Sequence, residues 1–136
     1  MVKKRINKIV GRISKEVAEK YNLYEFEGQE IIQSLDLYAH TVKHVKEFQS
    51  IDSYNNTLLN IEEILKNPIF VYYDRAKRSL QYFCEIDEDV CAVVKLKIKK
   101  NDENYVATVY PVNKSKIIKL KEKSYIIDDE EELEYA

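Results

Sequence analysis

The hydrophobic period of this chain changes at Pro68. Before it, two stripes at helical spacing (Leu37, Thr41, His44, Phe48 and Leu35, Tyr38, Val42, Val45) predict a helix from Asp36 to Phe48. Leu58, Leu59, Ile61, Ile64 and Leu65 predict another from Ser53 to Lys66, and Asn67-Pro68 ends it because proline cannot join the helix ladder. After Pro68 the period is two. Ile69 to Tyr73, Ser79 to Ile86, Val90 to Lys100 and Tyr105 to Val112 read as four strands, separated by polar segments of three to five residues. Connections that short join antiparallel neighbours. Nearer the start, Ser14 is placed to cap a short helix through Ala18 and Tyr21, and Glu30-Ile31-Ile32 follows Gly28 as a brief extended segment. Lys114 to Lys123 is amphipathic, either helical or a fifth strand. The expected fold is α+β, with N-terminal helices packed on a four-stranded antiparallel sheet.

A chain of 136 residues suits one core, expected over residues 1–127. Residues 128–136 are expected to form a disordered acidic tail, since six carboxylates without apolar periodicity have nothing to bury. Setting that run aside leaves 22 basic against 18 acidic groups, and residues 95–123 carry nine lysines against three acids. A lysine-dense surface of that kind suits a polyanion, although it also serves as a plain solvated face. No apolar run approaches the roughly 18 residues that span a membrane, and the start Met1-Val2-Lys3-Lys4-Arg5 leads into polar sequence, so the expected compartment is the cytoplasm, with no membrane partner. Cys84 and Cys91 read as small buried hydrophobes rather than a disulfide.

The two histidines of the chain, His40 and His44, fall four residues apart, which on an α-helix places both imidazoles on one face. Imidazole titrates near neutrality, so the pair is the best candidate for proton transfer. Half of a metal site is a weaker reading, since no zincin glutamate or ligand-spaced cysteine pair accompanies it. Strand registers extend the candidate surface. If Lys100 pairs with Tyr105, then Lys97 opposes Thr108 and Lys95 opposes Tyr110; carried across the other turns, the count adds Gln81, Phe83 and Tyr73 to that side. Tyr72, Leu80, Tyr82, Cys84, Val94, Leu96 and Val109 are left for helices to cover.

The segments Val10 to Val17, Lys43-His44-Val45, Ile64 to Pro68, Val93-Val94-Lys95-Leu96 and Tyr105 to Pro111 together resemble the phage-associated nucleases of the barnase, EndoU, colicin and RelE-like class, over roughly residues 9–112. The resemblance implies helices followed by a four-stranded antiparallel sheet, and a metal-independent endoribonuclease with no cofactor, many such proteins being toxins or phage and prophage effectors. It implies a helix histidine, a strand cation and a later strand hydroxyl, which fall on His44, Lys95 and Thr108, with His40 and Tyr110 as auxiliary catalytic candidates and Lys97, Gln81 and Tyr73 as substrate-binding ones. It departs from the class where a second histidine often follows the first and this chain has Phe48 and Gln49. The expected partners are RNA, tRNA among the candidates, and a cognate antitoxin or immunity protein. RNA cleavage needs a proton taken from the 2′-hydroxyl, charge stabilised on phosphorus oxygens and a proton returned to the leaving 5′-oxygen, giving a 2′,3′-cyclic phosphate. The alternative from another class is a catalytically silent module that binds nucleic acid or protein.

Overall fold

The computed structural model describes residues 8–34 and 36–135, with side chains described as far as Ser124. The acidic run expected to be disordered lies outside the residues whose side chains are described. The strands are β1 (Lys8–Arg12), β2 (Glu30–Gln33), β3 (Phe70–Asp74), β4 (Ser79–Glu85), β5 (Asp89–Lys95) and β6 (Asn104–Pro111). The helices are α1 (Lys15–Lys20), α2 (Leu37–Thr41), α3 (Ile51–Leu59), α4 (Ile61–Lys66) and α5 (Lys114–Tyr135), with 3-10 segments at Tyr24–Phe26 and Val42–Glu47.

The expectation of helices on a four-stranded antiparallel sheet is corrected here. Among the described residues the sheet has six strands in the order β1-β2-β6-β5-β4-β3 and is mixed, because β2 pairs parallel with β6 while every other pair is antiparallel. Among the described residues the first element is a strand, not a helix. The period-two reading missed β1 because Lys8–Arg12 is too short to alternate convincingly, and it carries a bulge between Ile9 and Gly11. At Gly11 an added Cβ would sit 3.3 Å from the Leu65 Cβ, so the small residue lets β1 lie close against α4.

Packing makes three layers. Val17 of α1, Leu37 of α2, Tyr54 of α3 and Ile61, Ile64 and Leu65 of α4 share the main core with Leu80, Tyr82, Val90, Ala92, Val94 and Val109 on one sheet face. Burying a side chain such as Leu80 completely stabilises the fold by about 2 kcal/mol. On the other face Tyr72, Phe83 and Cys91 form a smaller core with Ile117 of α5. That second face was expected to be open and polar; α5 covers part of it. Cys84 and Cys91 lie on opposite faces and both are free.

Local chemistry sets the element ends. Ser14 caps α1 by accepting from the Val17 N–H at 3.2 Å, as its position in sequence suggests. The helix expected from Asp36 to Phe48 is instead α2 followed by a 3-10 segment. Thr41 Oγ1 donates back to the Leu37 carbonyl at 3.0 Å and lies 2.9 Å from the buried Tyr54 hydroxyl, a pattern that competes with the helix ladder just where the winding tightens. The helix expected from Ser53 to Lys66 breaks at Asn60, whose side-chain amide donates to the Asn56 carbonyl at 2.7 Å.

Three registers also differ from expectation. Strand β5 ends at Lys95, so eight residues rather than four connect it to β6, and Lys95 pairs with Tyr105, Val93 with Thr108 and Cys91 with Tyr110. Buried Asn104 holds that longer loop: its Oδ1 accepts from the Lys97 N–H at 2.9 Å, and its amide donates to the Gln29 side chain and the Glu30 carbonyl. Across the next turn Gln81 pairs with Val93 and Ser79 with Lys95, a two-residue shift that keeps the faces. Asp74, not Tyr73, pairs with Ser79, and that one-residue slip sends Tyr73 to the main core and Tyr72 to the other face.

Candidate active site

Two neighbourhoods collect the chemistry expected from sequence, and they are separate. The first lies where the Val42–Glu47 segment packs beside β6. A 3-10 turn has three residues, so the neighbour stacked against His44 is Glu47, three residues on, and not His40. His44 Nδ1 lies against Glu47 Oε2, and the His44 ring meets the Tyr110 ring at 5.6 Å between centroids. With Nδ1–H directed to the carboxylate, Nε2 is the nitrogen left to accept a proton. The His44 side chain is 22% exposed, and His40 is exposed.

Tyr110 turns this corner into a cleft of about 420 Å³ with Glu47, Glu88, Asn113 and Lys116. Lys116 Nζ lies 5.2 Å above the Tyr110 ring, which fixes a cation at the mouth. Glu88 is already engaged, accepting from the Gln49 N–H at 2.9 Å and the Ser53 hydroxyl at 2.7 Å. Burial holds the Tyr110 phenol well above its ordinary value, and the Cys91 thiol and Glu47 carboxylate push the same way, so at neutral pH it is a hydrogen-bond donor. Burial likewise pushes the Cys91 thiol up to about 12, against a lowering from the Tyr110 hydrogen bond and the Lys116 ammonium.

The second neighbourhood is basic. Lys77, Arg78, Lys95 and Lys97 line a hollow of about 510 Å³ with Tyr105, Asp102 and Glu103. Lys95 Nζ donates to the Lys77 carbonyl at 3.1 Å, and Arg78 donates to the Lys97 carbonyl at 3.1 Å. Lys95 stands four residues along β5 from Cys91, the partner of Tyr110, which separates the two neighbourhoods by about 13 Å.

The structure thus brings His44 and Tyr110 together and sets Lys95 and Lys97 apart from them. Thr108 Oγ1 and Gln81 Oε1, on either side of Val93, are buried with no hydrogen-bond partner among the described residues, and Tyr73 packs against the main core. Glu47, Lys116 and Arg78 were missed by sequence reasoning. Glu47 carries a signal only if the segment is wound as 3-10, and Lys116 only if the chain turns back after Pro111. Among the described residues, no group of three or more His, Cys, Asp or Glu side chains is placed to hold a metal ion. No helix among them is long and apolar enough to cross a membrane.

A family model described as phage-Barnase-EndoU-ColicinE5/D-RelE like nuclease 3 matches residues 7–119. The chain belongs to that family. The match takes in β1 through the first turn and more of α5, so both neighbourhoods fall within the nuclease-like domain. No curated protein and no solved structure shows significant similarity to the chain.

Proposed function

We propose that this nuclease-like domain is an endoribonuclease that needs no metal, working at the cleft of His44, Glu47, Tyr110 and Lys116. The observation that carries the reading is a cleft lined by a carboxylate, a protonated phenol and an ammonium, Glu47, Tyr110 and Lys116, with the imidazole of His44 against the first two. His44 Nε2 takes the proton from a ribose 2′-hydroxyl while Glu47 holds the ring through Nδ1 and offsets the imidazolium charge. The 2′-oxygen attacks the adjacent phosphorus, and the added negative charge on its oxygens is met by the Lys116 ammonium and the Tyr110 hydroxyl. The bond to the 5′-oxygen breaks as that oxygen takes a proton from water, which the His44 imidazolium replenishes, leaving a 2′,3′-cyclic phosphate and a 5′-hydroxyl. Lys77, Arg78, Lys95 and Lys97 hold the backbone of the same strand about two nucleotides away, through charge and without base specificity. A toxin role with a cognate antitoxin or immunity protein belongs to the same reading, an acidic protein surface being the natural cover for such a basic hollow.

One observation favours the silent-module alternative: Lys95, expected beside His44, lies in the other neighbourhood, and the Thr108 hydroxyl is buried. Incubation of the purified protein with total RNA in excess EDTA decides between them. Fragments ending in cyclic phosphate are expected; intact RNA at protein concentrations that saturate binding would sink the enzymatic reading and keep the binding one.

A further inference from the structure

A third hollow, of about 310 Å³, lies on the helical side of the sheet, away from both neighbourhoods, between α1, the end of α4 and strands β3 and β4. Its walls are apolar, from Val17, Leu65, Pro68 and Val71. Its lining also holds three cations, Arg12, Lys20 and Lys66, against one acid, Glu16, and Arg12 reaches outward as well, to the Glu30 carboxylate at 3.3 Å and the Gly28 carbonyl at 3.2 Å. Tyr82 reaches its wall from the middle of β4. That residue is only 2% exposed, and its hydroxyl has no hydrogen-bond partner among the described residues.

An unpartnered phenol in an apolar setting destabilises the fold, by an amount comparable to a lost hydrogen bond. The same burial holds its pKa well above the ordinary value, so it stays a neutral group able both to donate and to accept. Apolar walls, one unpartnered hydroxyl and three cations against one acid match a flat uncharged ring joined to an anion. Phe70 and Tyr21 add aromatic surface to the lining, and Lys20 Nζ lies 5.2 Å above the Phe70 ring, holding positive charge beside that surface. The volume sits at the low end for small-molecule sites, about 300 Å³, enough for a single ring with its substituent and not for a polynucleotide.

We propose that this hollow binds a mononucleotide, with the base against Val17, Leu65 and Val71, a base carbonyl or ring nitrogen on the Tyr82 hydroxyl, and the phosphate among Arg12, Lys20 and Lys66. The binding does not depend on RNA cleavage, and it is measured at equilibrium with no turnover. Calorimetric titration of the full chain with each of the four nucleoside 5′-monophosphates, with the matching nucleosides and with inorganic phosphate is the test. At least one monophosphate binds, at least tenfold more tightly than its nucleoside or phosphate alone. Tyr82→Phe weakens it roughly 3- to 10-fold, the loss of one neutral hydrogen bond, and raises the melting temperature of the free protein by removing the unpartnered hydroxyl. Lys66→Glu weakens it further, and most at low salt. If no monophosphate binds, if inorganic phosphate binds as tightly as the best of them, or if Tyr82→Phe leaves the affinity unchanged, the proposal is overturned.

Discussion

Thr108→Val separates the two roles that this residue could play. As a strand hydroxyl opposite a catalytic lysine it would donate to phosphate, and its loss would cost cleavage. In the fold, Thr108 pairs with Val93, and its Oγ1 is buried with no hydrogen-bond partner among the described residues. Valine replaces the hydroxyl with a methyl of similar size and has a high strand preference, so the change removes a desolvation penalty of about 1–3 kcal/mol with little repacking. An unfolding entropy of about 2.1 cal/mol/K per residue gives the 136-residue chain about 0.29 kcal/mol/K, so the melting temperature should rise by roughly 3–10 °C. Thermal unfolding followed by circular dichroism reads the shift, and a parallel assay of RNA cleavage should show the parent rate. A melting temperature lowered by more than about 2 °C would refute the reasoning, because the hydroxyl would then be making a bond that the strand pairing does not explain.

Alkaline stability should depend on Cys91. Its folded pKa is raised from 9.0 to about 12, so its contribution is complete below pH 9 and is lost as pH rises toward 12, by up to about 1.4 kcal/mol per pH unit. Cys91→Ala should flatten the fall in urea-unfolding free energy between pH 9 and 11, and an unchanged slope would show that burial does not hold the thiol protonated. Lys95→Ala should reduce the slope of log binding constant against log salt for single-stranded RNA by about 0.7, as one lost phosphate contact, while leaving the melting temperature near that of the parent. A slope equal to the parent's would remove the basic hollow from the binding surface. Leu80→Ala, at a fully buried position, should cost about 2–5 kcal/mol in urea unfolding; a cost under 1 kcal/mol would contradict the assigned main core.

Part of the architecture is legible in the sequence. The switch of period at Pro68 located β3 to β6 and their antiparallel pairing, because short polar connections leave little choice of neighbour. The parallel contact of Ile31 and Ile32 with Asn104 and Tyr105 was not legible, since two paired residues have no period. The site was harder still. A side chain's row on a sheet depends on where the loop closes, and a buried asparagine, Asn104, ended β5 earlier than the alternation of Leu96 and Ile98 suggested. That displaced Lys95 from Tyr110 by about 13 Å. His44 was expected to share its face with His40, but Thr41 and the 3-10 winding after it put Glu47 there instead.

The rate of RNA cleavage by His44→Ala, measured in EDTA beside the parent protein, bears most directly on the proposed site. Loss of a positioned proton-transfer group should lower it by about 10²-fold or more, with the circular dichroism spectrum and melting temperature kept close to the parent's, since His44 is partly exposed and outside the buried core. Glu47→Gln should fall between the two, because the ring keeps a hydrogen bond and loses the neighbouring charge. Parent-like cleavage by the folded His44→Ala protein would contradict the account.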